Sequence, residues 1–244
     1  EAEGHMIGKS LNAAIKSENI AGEKHIVILN DTVTTLLAGL FSFPQRSYQT
    51  SIGFILGTGT NTAYIESHDN IKKLPHLPPD GQMIINCESG GFGKAPIGKI
   101  DEKLDRRSDH AGYQLFEKMI SGAYLGPICT ETIRAAARDG LFSAAAKDLT
   151  DIPDMQTKHI SQFLTTPLAG NNPLSKALSK APEQDKTKLY HLLDCVIERS
   201  AKLAAVNLAA TALKTGKGKD PCKPICIVAE GTTFYKCKDL GFKT

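Results

Sequence analysis

The sequence predicts an α/β or mixed α+β protein, because strand-like and helix-like segments alternate along its length. The expectation rests on a glycine hairpin within 51–66, an apolar strand at 83–87 that ends on a carboxylate, and a long apolar-striped helix around 189–203. With 244 residues, 41% hydrophobic and 23% charged, the chain has the composition of an ordinary soluble globular protein and can bury a sizeable core. A net charge of +3 is mild and unclustered, so neither a nucleic-acid partner nor a membrane surface is expected. No apolar run approaches the roughly 20 residues that span a bilayer. The six cysteines are scattered and read as reduced thiols of a cytoplasmic protein. Cys222 and Cys226 are the one close pair, without His or further Cys at ligand spacing, so no protein-bound metal is expected.

Ile7, Leu11, Ala14 and Ile15 repeat at helical spacing and predict an amphipathic helix over 7–17. His25 to Leu29 reads as a buried strand, followed by a helix over 32–40 with Asn30 or Asp31 near its N-cap. In "SIGFILGTGTNTAYIE" two strands flank a tight turn, Gly57-Thr-Gly-Thr-Asn61, whose glycines are expected at φ > 0. A Pro-rich loop covers 67–81, and "MIINC" is a short strand ending on Glu88. The pattern turns helical from Gly112. Pro127 removes a donor and clashes with the preceding turn, which predicts a break near 121–126 and a second helix to about Arg138. Residues 140–186 are irregular or short-helical, and the Leu189–Leu203 helix closes in a Gly/Lys-rich turn at 214–219. "PICIVA" is a last strand, with Glu230-Gly-Thr-Thr233 as its turn.

Several of these features bear chemistry. A carboxylate at the carboxyl end of a strand sits where open α/β sheets place ligands, so Asp31 reads either as a general base or as a plain helix cap beside Asn30. The turn at 57–61 reads either as a bare hairpin or as an anion-binding nest, with threonine hydroxyls as neutral donors. It is neither a P-loop nor a dinucleotide fingerprint, since the closing Gly-Lys-Ser/Thr and the following helix are missing. Glu88 and Glu117 suit a sugar's hydroxyls or are solvated surface charges, and spacing alone does not show that they converge.

The order "NDTVTTLLAG", "IGFILGTGTNTAYIE", "MIINCESGGFG", "GYQLFEKMISGAYLG" and "IVAEGTTFYK" resembles the hexokinase family of eukaryotic-type sugar kinases, from about Glu3 to Thr244 and weakly over 140–185. The resemblance implies an actin-like (ribonuclease H-like) fold whose two domains close on a hexose. It also implies transfer of the γ-phosphoryl group of Mg-ATP to the sugar's 6-hydroxyl. Asp31 matches the catalytic base. Asn30, Asn61, Glu88 and Glu117 match sugar-binding residues. Gly57, Thr58, Gly59 and Thr60 match the phosphate-facing turn, and Gly231 and Thr232 match a turn near the nucleotide. The implied partners are ATP with Mg²⁺ and a hexose, glucose first, with fructose or mannose as alternatives. The alternative function is a non-catalytic, hexokinase-like sugar sensor.

The sequence departs from the family pattern in places. Ser89 stands where many members have Trp or Tyr, Ala123 where some have a basic residue, and Pro127 where Glu is common. The family's Glu-Gly-His-Asp corresponds to Glu3-Gly-His-Met6, although Gly4-His-Met6 also reads as a cloning remnant. The first phosphate loop, the small-domain Thr-Lys sugar contact and the last nucleotide-closing turn are not in this sequence. The expected organisation is therefore the middle of a hexokinase: 1–29 as the end of the small domain and 30–244 as the large domain. Such a piece is expected to be inactive alone, completed by further residues or by a second chain.

Overall fold

A computed structural model describes residues 6–22, 24–42 and 45–244. The Glu3–His5 match lies outside the described residues, as does part of the proposed 1–29 unit.

The centre is a four-stranded mixed sheet of order β3-β2-β1-β4. β1 (Thr50–Leu56) and β2 (Thr60–Ser67) form the expected hairpin, with Ile55 opposite Asn61 and Gly53 opposite Ala63. β3 (Gln82–Asn86) pairs antiparallel with β2, and β4 (Ile225–Glu230) runs parallel to β1. The parallel pairing is possible because the long helical excursion between β1 and β4 supplies a crossover.

On one face lies α2 (Asp31–Ser42). It approaches β1 so closely that a Cβ on Gly53 would stand 2.5 Å from the Thr32 carbonyl oxygen. Only glycine admits that approach, and it fixes where α2 begins relative to the sheet. The other face carries the main core. Phe54 and Leu56 pack there with Phe116, Leu125, Ile160 and Leu193, all buried. This core is built from α4 (Leu115–Ile120), α5 (Gly122–Arg138), α6 (Thr157–Thr165) and the 33-residue α8 (Glu183–Thr215). Leu189, Leu193 and Ile197 face inward on α8 at four-residue spacing, and Gly216 ends the helix at φ 63°. Shorter helices are α1 (Ile7–Ser17), α3 (Lys99–Arg106), α7 (Pro173–Ala177), α9 (Thr232–Lys236) and α10 (Leu240–Lys243).

Charged anchors tie the layers together. Burial opposes the charge on Glu66 at the end of β2. The Asn70 amide and the Lys214 ammonium outweigh that penalty and hold its carboxyl below the usual range. Buried Glu131 is satisfied by Lys103, Arg107 and Arg134.

Two sequence expectations need correction. Residues 25–29 form no strand and are not buried: Val27 is 73% exposed and Leu29 48%. Among the described residues no strand pairs with this segment, so its β-prone side chains have nothing to pack against. The residue just before it is tied to α1, through Asn12 Nδ2 to the Lys24 carbonyl (2.9 Å) and Lys24 N–H to Asn12 Oδ1 (3.0 Å). The helix α1 itself buries no residue. The second concerns Pro127 alone: the break expected near 121–126 and the second helix to Arg138 are both present, but Pro127 lies inside α5 and not at the break. The break is at Ser121, where the Gly122 N–H turns aside to the Gly57 carbonyl (2.8 Å).

Candidate active site

Asn30 and Asp31 open α2, and the two readings of this pair coexist. Asn30 Oδ1 accepts the Thr32 N–H at 2.9 Å and caps the helix. Asp31 Oδ1 accepts the Thr32 N–H (2.7 Å) and hydroxyl (3.2 Å), while its Oδ2 has no partner among the described residues.

Strand alternation places the next residues. Asn61, opposite Ile55, shares the face of Gly53 and Ala63 that α2 covers. Thr62 points to the other face, where its hydroxyl meets Ser89 Oγ (3.2 Å) and accepts from Asn207 of α8 (2.6 Å). Asn61 Oδ1 accepts the N–H groups of Thr62 (2.7 Å) and Ser89 (3.3 Å), which orients its amide nitrogen. That nitrogen donates to Asn86 Oδ1 (2.7 Å) and, at longer range, to Glu88 Oε1 (3.3 Å). Glu88 adopts φ 50°, an uncommon left-handed conformation for a side-chain-bearing residue and one that marks a constrained site.

Gln114, also left-handed at φ 52°, docks against the turn after Glu88. A Cβ on Gly90 would lie 3.0 Å from Gln114 Oε1 and 3.1 Å from Glu117 Cβ. The glycines of this turn thereby bring the Glu88 loop against the start of α4. Glu117 Oε2 accepts the Thr60 N–H at 2.9 Å, and its Oε1 has no partner among the described residues. Asn61, Glu88 and Glu117 are thus brought together at the sheet end, with Asp31 on the helix covering the same face. Each carboxylate has one oxygen engaged and one available to a hydroxyl.

The turn at 57–60 differs from expectation. Neither Gly57 nor Gly59 has positive φ. Gly59 is needed for close approach, since a Cβ there would stand 2.4 Å from Glu117 Oε2. Thr60 spends its N–H on Glu117 and its hydroxyl on the Ile55 carbonyl (2.8 Å), so it positions Glu117 and offers a nucleotide no donor. Gly57 is a docking point, its carbonyl accepting from Gly122 N–H and the Thr233 hydroxyl (both 2.8 Å). The N–H groups of Thr58 and Gly59 have no partner among the described residues. Gly231, at φ 126°, is pressed against Leu56, where a Cβ would lie 2.3 Å from its carbonyl oxygen.

Beyond this turn, α6 and α9 enclose a concavity of about 260 Å³ lined by Thr157, Lys158, Ser161, Thr232 and Lys236, among others. The Thr157 and Ser161 hydroxyls donate to the Gly122 and Lys236 carbonyls, which leaves the Thr232 hydroxyl and the Lys158 and Lys236 ammonium groups to meet an anion in a largely apolar hollow. A second concavity, about 470 Å³, lies beside Ser89 between Phe92, Phe116 and Val206.

Residues 51–242 match the protein family described as Hexokinase. The chain belongs to the hexokinase family. It is 31% identical over 224 residues to Hexokinase-7 of Oryza sativa subsp. japonica, covering 86% of this chain and 47% of that protein. It is 33% identical over 230 residues to Hexokinase-1 of Schizosaccharomyces pombe, covering 88% and 46%. It is 31% identical over 237 residues to a glucokinase of Aspergillus niger, covering 85% and 48%. The chain spans about half the length of the curated relatives it matches. A crystal structure of a hexokinase superposes with a TM-score of 0.72 at 26% identity, over 96% of this chain and 51% of that one. The hexokinase from Schistosoma mansoni complexed with glucose superposes with a TM-score of 0.75 at 22% identity, over 99% and 55%. The α/β fold is therefore the actin-like fold of the hexokinases.

Sequence reasoning missed the contacts of Asn86 and Gln114 with the predicted residues, and the structural bonds by which the Thr157 and Ser161 hydroxyls tie α6 to α5 and α9. The amide of Asn86 two residues before Glu88 was a readable signal. Thr157 and Ser161 lie in the stretch that shows no periodic pattern.

Proposed function

We propose that this protein phosphorylates a hexose, glucose first, at its 6-hydroxyl with ATP. The observation that carries the reading is the pair of half-engaged carboxylates Glu88 and Glu117, tied to Asn61 and Thr60 beside a turn whose Thr58 and Gly59 N–H groups lack partners among the described residues, with half-engaged Asp31 opening the helix on the Asn61 face of the sheet.

Glu88 Oε2 and Glu117 Oε1 accept ring hydroxyls, and the Asn61 amide, its two hydrogens on Asn86 and Glu88, holds the Glu88 carboxylate in place. Asp31 Oδ2 accepts the proton of the 6-hydroxyl as its oxygen attacks, a role worth typically 10²–10⁴ in rate. Phosphoryl transfer asks the protein mainly for alignment and for stabilisation of spread charge. The Thr58 and Gly59 N–H groups, with the Thr58 hydroxyl, supply donors for the transferred phosphoryl oxygens. The Thr232 hydroxyl meets the rest of the nucleotide, with Lys158 and Lys236 offsetting its charge. Among the described residues no cluster of three His, Cys, Asp or Glu offers a metal its own cage. Mg²⁺ would accordingly be held largely by the phosphates and would supply further charge neutralisation.

Residues 30–244 then form the large domain, with 1–29 ending the small one. This division is supported by the contrast between α1, which buries nothing, and α2, whose Thr32, Leu36 and Gly39 are buried. The decisive experiment is glucose-dependent ADP release by the full-length native protein and by its Asp31→Ala variant. The variant should bind hexose but lose at least about a hundredfold in kcat, following the general-base scale. Retention of more than about a tenth of wild-type kcat, against the same scale, removes Asp31 from the chemistry. A wild type that binds hexose without turnover favours the sensor function.

A further inference from the structure

We infer that Asn86 is a positioning residue for the hexose site, acting through Glu88 and Asn61; the inference rests on the sugar-binding reading above. Asn86 ends β3 opposite Ala63 and is the diagonal neighbour of Asn61 on the α2 face of the sheet. Its amide is used in both directions. Nδ2 donates to Glu88 Oε1 at 2.7 Å, and Oδ1 accepts from Asn61 Nδ2 at 2.7 Å. Both bonds are shorter than the direct Asn61–Glu88 contact at 3.3 Å, so Asn86 is the main link between the two.

The direction of every bond is set from outside. Asn61 Oδ1 is committed to the N–H groups of Thr62 and Ser89, so its other end must present hydrogens. The atom of Asn86 facing it must therefore be the oxygen, which turns the Asn86 NH₂ toward Glu88. Glu88 Oε1 consequently meets donors alone and is held as an acceptor, while Oε2 stays without a partner among the described residues. An acceptor of fixed orientation is what a sugar hydroxyl requires, and the uncommon left-handed backbone at Glu88, φ 50°, marks the site as constrained. Asn86 touches no reacting atom. It specifies which oxygen of Glu88 is offered and which end of Asn61 is turned inward.

The test uses the full-length native protein. Calorimetry with glucose and steady-state kinetics are run on wild type, Asn86→Ala, Asn86→Asp, Glu88→Gln and the Asn86→Ala/Glu88→Gln double variant, with thermal melts alongside. Removing the donor to a charged acceptor should weaken glucose about tenfold to a hundredfold, with the KM for ATP within about twofold of wild type. Asn86→Asp keeps the shape but places a carboxylate against Glu88, so it should weaken glucose at least as much as Asn86→Ala. In the double variant the Asn86→Ala effect should largely disappear, because an intermediary has no effect once its target is changed. Full additivity, or unchanged glucose affinity in well-folded Asn86→Ala and Asn86→Asp, overturns the inference while leaving the function standing. A wild type that binds no glucose overturns the function and this inference with it.

Discussion

Replacing Gly59 with alanine should damage hexose binding far more than folding. The added Cβ would stand 2.4 Å from Glu117 Oε2, whereas real Cβ contacts stay beyond about 3.0 Å. The atom it meets is the far end of a flexible side chain, so the carboxylate retreats by more than half an ångström and the backbone stays. The Thr60 N–H···Oε2 bond, 2.9 Å in the structure, is thereby stretched beyond useful length. The displaced carboxylate then loses its aligned bond to a sugar hydroxyl, and a hydrogen bond to a charged group contributes about 1.5–3 kcal/mol. At about 1.4 kcal/mol per decade, that is roughly tenfold to a hundredfold in glucose affinity. Calorimetry on the full-length native protein reads the affinity, and a thermal melt reads the fold. Gly93→Ala, whose Cβ would meet only Leu115 Cδ1 at 3.8 Å, serves as the control for a harmless glycine substitution. Gly231→Ala provides the opposite extreme, with φ 126° and a Cβ 2.3 Å from the Leu56 carbonyl oxygen, and should fail to fold stably. If Gly59→Ala raises the KM for ATP and leaves glucose affinity untouched, the reasoning is wrong and the glycine serves phosphate alone.

Glu88→Gln and Glu117→Gln should each weaken glucose binding by about tenfold, exchanging a charge-assisted bond for a neutral one; unchanged affinity in both variants removes them from the site. Asp105 is held below the usual carboxylate range first by its bond from Lys118, against an opposing burial penalty and with help from the Gly112 N–H. Its contribution to stability is therefore present above the unfolded carboxylate pKa and lost as pH falls through the lower folded value. Asp105→Asn should lower Tm at pH 7, and the difference from wild type should close in acid; a pH-independent difference would show that charge is not the cause. In the isolated 244-residue chain, the amides of 25–29 should exchange hydrogen far faster than those of β1, because the segment is exposed and has no ladder partner among the described residues. Comparable protection in the two segments would contradict that exposure.

Much of the fold was legible because its signals are local. The hairpin, the strand before Glu88, the helix closed at Gly216 and the β4 strand each carry their own periodicity and punctuation, and each lies where the pattern predicts. Residues 25–29 depart from their strand-like pattern because β-propensity reports a side chain's fit to a half-buried surface, and no such surface meets them among the described residues. Pro127 is accommodated inside α5, past the break that is expected and found near 121–126. The interruption between α4 and α5 is imposed by a contact 65 residues away in sequence, Gly122 N–H to Gly57, which no helix rule can see.

The sequence by itself determined the motif order that places this chain in the hexokinase family, and with it the candidate residues Asn30, Asp31, Asn61, Glu88 and Glu117. It also determined the hydrophobic periods that build the sheet and the helical layer. Only the tertiary structure decided which atoms of those residues are engaged. That Thr60 supports Glu117, that Gly59 makes room for a carboxylate, and that Asn86 sets the direction of the Asn61–Glu88 network are all through-space facts. The physical reason is that hydrogen-bond commitment depends on partners 25 to 57 residues apart in the chain, brought together by strand register and the close approach that glycine permits. Motif and composition encode what a side chain is able to do. The packing around it settles which of those capacities remains available to a ligand.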